Sequence, residues 1–179
     1  IHDASIKNPN ALAIYYNGKK ISFRKLDKLI CKTAAILKVV LGVKKGDVIL
    51  IAQPNIPDTL ILFYAVNKLG AISNMVHPFT PFNKISEIMR KTNTKYAFLF
   101  EQRVAKEVDK YRELKDKIFI TRVENYLPPF KKIIYHFLNR NVRKTLGKHF
   151  RFKGFNYFHE LSCEFQDCNT VKDIAFDPA

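Results

Sequence analysis

The chain of 179 residues is 47% apolar and 26% charged, a globular balance that excludes a disordered or collagen-like chain and suffices for one buried core. Its formal charge is +15, and residues 125–159 hold eight Lys or Arg and no acidic residue. No apolar run nears the ~18 residues of a membrane span. Three cysteines (Cys31, Cys163 and Cys168) are too sparse for a disulfide framework and point to a reducing compartment.

Ile1 opens the chain with no charged-then-apolar leader, and the expectation is a piece of something longer. Residues 11–16 and 19–22 flank Asn17-Gly18, a pair suited to the left-handed positions of a type I′ hairpin turn. Ser22 then reads as the N-cap of a helix over 23–41. Phe23, Leu26, Ile30, Ala34, Leu37 and Leu41 make its apolar face, and Gly42 ends it. Residues 48–52 form a continuous apolar run of strand length, and Pro57-Asp58 opens a helix closed by Gly70. A strand over 71–76, a helix over 82–93, a strand over 96–100, a helix over 102–114 and a strand over 118–122 follow. Strands buried on both faces with helices between them imply parallel pairing through right-handed crossovers. The fold class is therefore α/β: a mainly parallel sheet flanked by helices, with an N-terminal hairpin. Residues 1–123 form this subdomain. Residues 124–179 belong to the same domain, expected to be truncated, and carry a basic helix over 130–146, a loop, a short helix near 155–161 and the start of another strand over 171–176.

Chemistry is sparse in the motifs. Six glycines, at 18, 42, 46, 70, 147 and 154, form no phosphate-cradling cluster, and GxGxxG, GxxxxGK[ST] and GxSxG are all absent. The five histidines lack ligand spacing, and Cys163-x4-Cys168 near His159 fits no strong zinc pattern, so no metal site is expected. No complete catalytic site is recognisable.

The order of small motifs nonetheless resembles the adenylate-forming enzymes. Residues Ile21-Ser22-Phe23-Arg24-Lys25-Leu26 resemble the first core motif, with Lys25 where the family carries Glu. The turn Gly42-Val43-Lys44-Lys45-Gly46-Asp47, the segment Gln53-Pro54-Asn55-Ile56-Pro57-Asp58 and the segment Asn67-Lys68-Leu69-Gly70-Ala71 follow in family order. His77-Pro78-Phe79-Thr80-Pro81 is similar to the Asn-Pro-Leu-Tyr-Thr-Pro loop of fatty acyl-CoA synthetases, with His for Asn and one residue fewer. The run from Ile118-Phe119-Ile120-Thr121 through Tyr126-Leu127-Pro128-Pro129-Phe130 into a basic helix is similar to an insert of long-chain fatty acid–CoA ligases.

The resemblance implies the N-terminal part of an AMP-forming acyl-CoA synthetase, whose parent joins a fatty acid or other acyl carboxylate to coenzyme A with ATP and Mg2+. The family's phosphate loop, ribose-binding acid, hinge and catalytic Lys would all lie beyond Ala179. Residues 1–179 alone are expected to be inactive and to hold none of these cofactors. No catalytic or cofactor-binding residue is assigned.

His77, Phe79 and Thr80 are the substrate-proximal candidates, at the carboxyl end of a strand, where open α/β sheets bind ligands. The competing reading is a rigid turn set by two prolines. Asn55 is expected to cap or turn. Phe130, Ile133, Ile134, Phe137, Leu138 and Val142 form an apolar stripe with Lys131, Lys132, Arg140, Arg143 and Lys144 around it. Such a helix suits an anionic membrane interface, or else docks its stripe on the sheet. This composition is consistent with a cytoplasmic protein held peripherally at the inner membrane face. The alternative to an enzyme is a basic module binding membrane or nucleic acid. Nine aromatics accompany the eight cations of 125–159, but no RNA-binding signature does, which disfavours nucleic acid.

Overall fold

The computed structural model describes residues 1–123, 127–138, 140–141 and 156–157. It begins with a short helix, α1 (His2–Lys7), followed by the antiparallel hairpin β1 (Leu12–Tyr16) and β2 (Lys19–Ser22). Asn17 (φ 49°) and Gly18 (φ 85°) both occupy the left-handed region, as the Asn-Gly pair demands. The Ser22 hydroxyl accepts the Lys25 N–H at 3.4 Å and caps α2 (Phe23–Ala35), which continues as a wide π-turn over Ile36–Val40. The expected α-helix over 23–41 is therefore α-helical for its first thirteen residues only. Gly42 at φ 60° reverses the chain, and the Val43 N–H returns to the Leu37 carbonyl at 2.8 Å.

The main sheet contains β3 (Val48–Ala52), β4 (Ile72–Met75), β5 (Tyr96–Phe100), β6 (Ile118–Thr121) and the two-residue β7 (Asn156–Tyr157). Its spatial order is β4-β3-β5-β6-β7, and every pairing is parallel. Helix α3 (Pro57–Lys68) links β3 to β4, and α4 (Phe82–Lys91) links β4 to β5. Between β5 and β6 run α5 (Glu101–Lys106) and a 3-10 segment over Val108–Lys117, and α6 (Pro129–Leu138) follows β6.

Alternation along the strands divides the core in two. Ile49, Ile51, Phe98 and Phe119 face α2 and α3, meeting Leu26, Ile30, Leu62 and Val66. Leu50, Ala52, Ala97, Leu99, Ile118 and Ile120 face α4 and the α5 region, meeting Ile85, Met89, Val104 and Tyr111. Phe98 and Phe119, neighbours across β5 and β6, stack at 5.0 Å between ring centroids. The chain is thus an α/β domain with helices on both faces of a parallel sheet.

Three expectations are corrected. The helix expected over 102–114 breaks at Glu107, whose backbone (φ −136°, ψ 36°) leaves the helical region while its carboxylate folds back onto Arg103 and the Phe82 N–H. The following 3-10 repeat of three residues brings Val108 and Tyr111 to the same core face. Where a helix is expected near 155–161, Asn156 and Tyr157 pair with Phe119 and Ile120, covering an otherwise bare edge of β6. Strand β4 is half-exposed rather than buried on both faces, because it lies at the other edge of the sheet. The strand expected over 171–176, the helix beyond residue 141, and Cys163, Cys168 and His159 lie outside the described residues.

Candidate functional site

From β3 the chain crosses to one side of the sheet, to β4. From β5 it crosses to the other, to β6. The connections therefore part between the carboxyl ends of β3 and β5, and a doubly wound sheet opens its ligand crevice there. Gln53 leaves β3 at this point, and Glu101 leaves β5. Both are almost fully buried.

Gln53 is held by a polar network. Its Nε2 donates to Thr121 Oγ1 at the end of β6, and its Oε1 faces the Thr59 hydroxyl at 3.2 Å. That hydroxyl has one proton and lies closer to the Pro54 carbonyl, at 2.6 Å, so the Gln53 oxygen receives a shared contact at most. Burial of three polar side chains requires these mutual bonds.

Glu101 organises a second group. The Tyr135 hydroxyl of α6 donates to Glu101 Oε1 at 2.8 Å, Gln102 Nε2 donates to the Tyr135 oxygen at 3.4 Å, and Arg122 Nε lies 4.0 Å from Glu101 Oε2. Burial first, then the Glu101 charge and hydrogen bond, push the Tyr135 hydroxyl well above the usual phenol range. The phenol therefore keeps its proton and donates it, which fastens α6 to the carboxyl edge of the sheet.

Residues 77–81 leave β4 along the same edge, and Val76 N–H bonds the Ile51 carbonyl at 2.9 Å. The exposed His77 turns Nδ1 back to accept the Phe79 N–H at 3.3 Å, and the Thr80 N–H bonds the His77 carbonyl at 3.0 Å. Phe79 is 47% exposed and packs its ring edgewise on Phe100, 5.7 Å away, with Lys106 Nζ 5.9 Å above it. Arg103 Nε donates to the Thr80 carbonyl at 2.9 Å and the same guanidinium pairs with Glu107, which accepts the Phe82 N–H. The loop is therefore clamped to α5, and the clamp leaves Phe79 presented at the edge. His77, Phe79 and Thr80 share one turn. Asn55 is exposed in the β3–α3 turn, and α3 takes Ile56 as its N-cap residue without a side-chain cap, so of the two expected roles Asn55 has the turn and not the cap.

Sequence reasoning missed Gln53, Thr59, Thr121, Glu101, Arg103 and Tyr135. A polar residue directly after each apolar strand run marks Gln53 and Glu101, but their partners are distant in sequence. Among the described residues no three His, Cys, Asp or Glu side chains converge to hold a metal ion. Among the described glycines, Gly42, Gly46 and Gly70 sit in the turns before β3 and β4, on the opposite edge from Gln53 and Glu101, and Gly18 sits in the hairpin turn.

A doubly wound parallel sheet with polar side chains gathered at its carboxyl edge defines an open α/β domain. Residues 2–139 match the AMP-binding enzyme family model, and the chain belongs to that family. It is 30% identical over 134 residues to the long-chain-fatty-acid–CoA ligase of Bacillus subtilis, covering 74% of this chain and 24% of that protein. Acetyl-coenzyme A synthetase 1 of Candida glabrata is 37% identical over 78 residues, 40% of this chain and 11% of that protein. Among solved structures, the N-terminal subdomain of Klebsiella oxytoca NpsA in complex with anthranilyl-AMSN aligns with a TM-score of 0.52 and 26% identity, over 55% of this chain and 25% of that one. The inhibitor-bound N-terminal domain of FACL13 from Mycobacterium tuberculosis shares the fold, with a TM-score of 0.56 and 23% identity, over 62% of this chain and 28% of that one. The chain thus spans a quarter or less of the length of these curated relatives.

Proposed function

We propose that this chain forms the N-terminal α/β portion of an AMP-forming acyl-CoA synthetase that activates a fatty acid. A carboxylate oxygen attacks the α-phosphorus of ATP, giving acyl-adenylate and pyrophosphate. The coenzyme A thiolate then displaces AMP to give acyl-CoA. The observation that carries the fatty acyl assignment is the 134-residue similarity to a long-chain ligase, against 78 residues for the acetyl-CoA synthetase.

Stabilising the charge on the α-phosphate during adenylyl transfer calls for convergent backbone donors, cations and Mg2+, and no step is assigned to a metal on the residues described. The part proposed for this chain is positional. Gln53 and Glu101, with their partners, fix the carboxyl edge, and the turn with His77, Phe79 and Thr80 lines one wall of the acyl site. Phe79 offers an apolar face and His77 a polar rim.

The test is a chain-length series in the protein that carries this segment. Phe79→Ala is expected to raise KM for long acyl chains by about tenfold, the scale of one lost apolar contact, and to leave KM for ATP unchanged. Equal effects on both substrates, or none on the acyl chain, would remove the loop from the acyl site.

A further inference from the structure

The turn that carries Phe79 does not fix its own place. Pro78 and Pro81 restrict two φ angles and supply no N–H, and Phe79 and Thr80 between them belong to neither a strand nor a helix. Pro81 also stands at the N-cap of α4, where it offers no side-chain acceptor to the first helical N–H groups. Both needs are met from the next crossover. Arg103 Nε donates to the Thr80 carbonyl at 2.9 Å. Glu107 Oε2 accepts the Phe82 N–H at 3.2 Å, 25 positions away, which sets a carboxylate at the positive end of α4. Arg103 and Glu107 are themselves an ion pair, so one pair grips the chain on both sides of Pro81. Its arginine side chain is only 12% exposed, which shields the bond to Thr80 from water. The same unit packs the ring: Phe100 meets Phe79 edgewise at 5.7 Å, and Lys106 Nζ lies 5.9 Å from its centroid. Phe100, Arg103, Lys106 and Glu107 recur at steps of three and four, the spacing that turns successive side chains to one face.

We infer that Arg103 is a positioning residue for acyl selectivity, acting through the Thr80 carbonyl to hold the Phe79 ring against the acyl chain. The inference rests on the reading that places this turn in the wall of the acyl site. An apolar wall selects its ligand by contact, and a gap of roughly 0.5–1 Å already forfeits a quarter to a half of the dispersion attraction. A turn free to shift that far keeps its phenyl ring and loses part of its selectivity. The neighbouring cations do not replace Arg103. Lys106 is exposed and approaches the ring rather than the turn's backbone. Lys110 reaches only Glu107 Oε1, at 2.9 Å. That second partner keeps Glu107 paired when Arg103 is replaced, so the cap on α4 survives and the link to Thr80 alone is lost.

A double-mutant cycle on KM for a long-chain fatty acid tests it, in the protein that carries residues 1–179. Arg103→Met is expected to raise that KM about fivefold, part of the roughly tenfold that losing the ring costs, with KM for ATP unchanged. In a Phe79→Ala background the same replacement should raise it less than about twofold, because no ring remains to be held. Arg103→Lys should fall between, since an ammonium can reach the Thr80 carbonyl but lacks the planar fork that also holds Glu107. If Arg103→Met lowers the melting temperature sharply, Arg103→Lys carries the cycle in its place. An Arg103 that served the fold alone would raise KM by the same factor in both backgrounds. That result would overturn the inference and leave Phe79 in the acyl site, as would a rise in KM with Phe79→Ala and none with Arg103→Met. A Phe79→Ala variant without effect on any acyl chain would instead fail the placing of the turn, and the inference with it.

Discussion

Replacing Thr121 with valine exchanges a hydroxyl for a methyl of nearly the same shape at the end of β6. Thr121 is 4% exposed and accepts the Gln53 amide, which is itself 5% exposed, so water cannot substitute for the lost acceptor. The cost is that of a buried donor left unsatisfied, about 1–3 kcal/mol. For a chain of this size that corresponds to a fall in Tm of roughly 2–4 °C per kcal/mol, or about 4–8 °C at the middle of the range. Gln53→Leu removes the donor as well, and in that background Thr121→Val should cost well under about 1 kcal/mol, because neither polar group remains to be stranded. The double-mutant cycle, read by urea unfolding and thermal melting, should therefore show a coupling of about 1–2 kcal/mol. Equal costs of Thr121→Val in both backgrounds would refute a network that holds β3 to β6 at the crevice.

Three other outcomes follow from the same geometry. Burial pushes the Asp47 carboxyl upward, but hydrogen bonds from Lys95 and the Lys44 N–H and the charges of both lysines outweigh it, leaving it below the usual carboxylate range. A depressed folded value contributes stability above the unfolded pKa that is lost as pH falls through the folded one. Lys95→Met should therefore flatten the acid limb of a stability–pH curve, by less than about 1 kcal/mol because the pair is partly exposed. Phe98→Ala empties a fully buried site stacked on Phe119 and should cost roughly 3–5 kcal/mol by denaturant unfolding. Arg103→Met releases the Thr80 carbonyl and should speed amide exchange across residues 77–82 while β3 and β5 stay protected. Unchanged exchange there would mean the clamp does not hold the loop.

Local chemistry made most of the fold legible. Asn17-Gly18, Ser22, Pro57 and Gly70 each act within a few residues of themselves, and they mark the hairpin, the α2 cap and both ends of α3 where the structure has them. The apolar runs at Val48–Ala52 and Tyr96–Phe100 coincide with β3 and β5. The break at Glu107 was not legible, since its cause is a pairing with the Phe82 N–H, 25 positions away. The candidate site divides in the same way. The turn with His77, Phe79 and Thr80 could be placed at a strand end from sequence. Gln53 with Thr121, separated by 68 positions, and Glu101 with Tyr135, separated by 34, exist only once the sheet has formed. The stripe of α6 was visible in the sequence. Its outward direction depends on Tyr135 reaching Glu101, which periodicity does not encode.

The most direct measurement is carboxylate-dependent exchange of labelled pyrophosphate into ATP, made on the protein carrying residues 1–179 and on residues 1–179 alone. The account predicts fatty-acid-dependent exchange by the whole protein, with an acyl hydroxamate trapped by hydroxylamine, and background exchange by the isolated segment. A whole protein that exchanges pyrophosphate with no fatty acid, or an isolated segment that matches its rate, would contradict it.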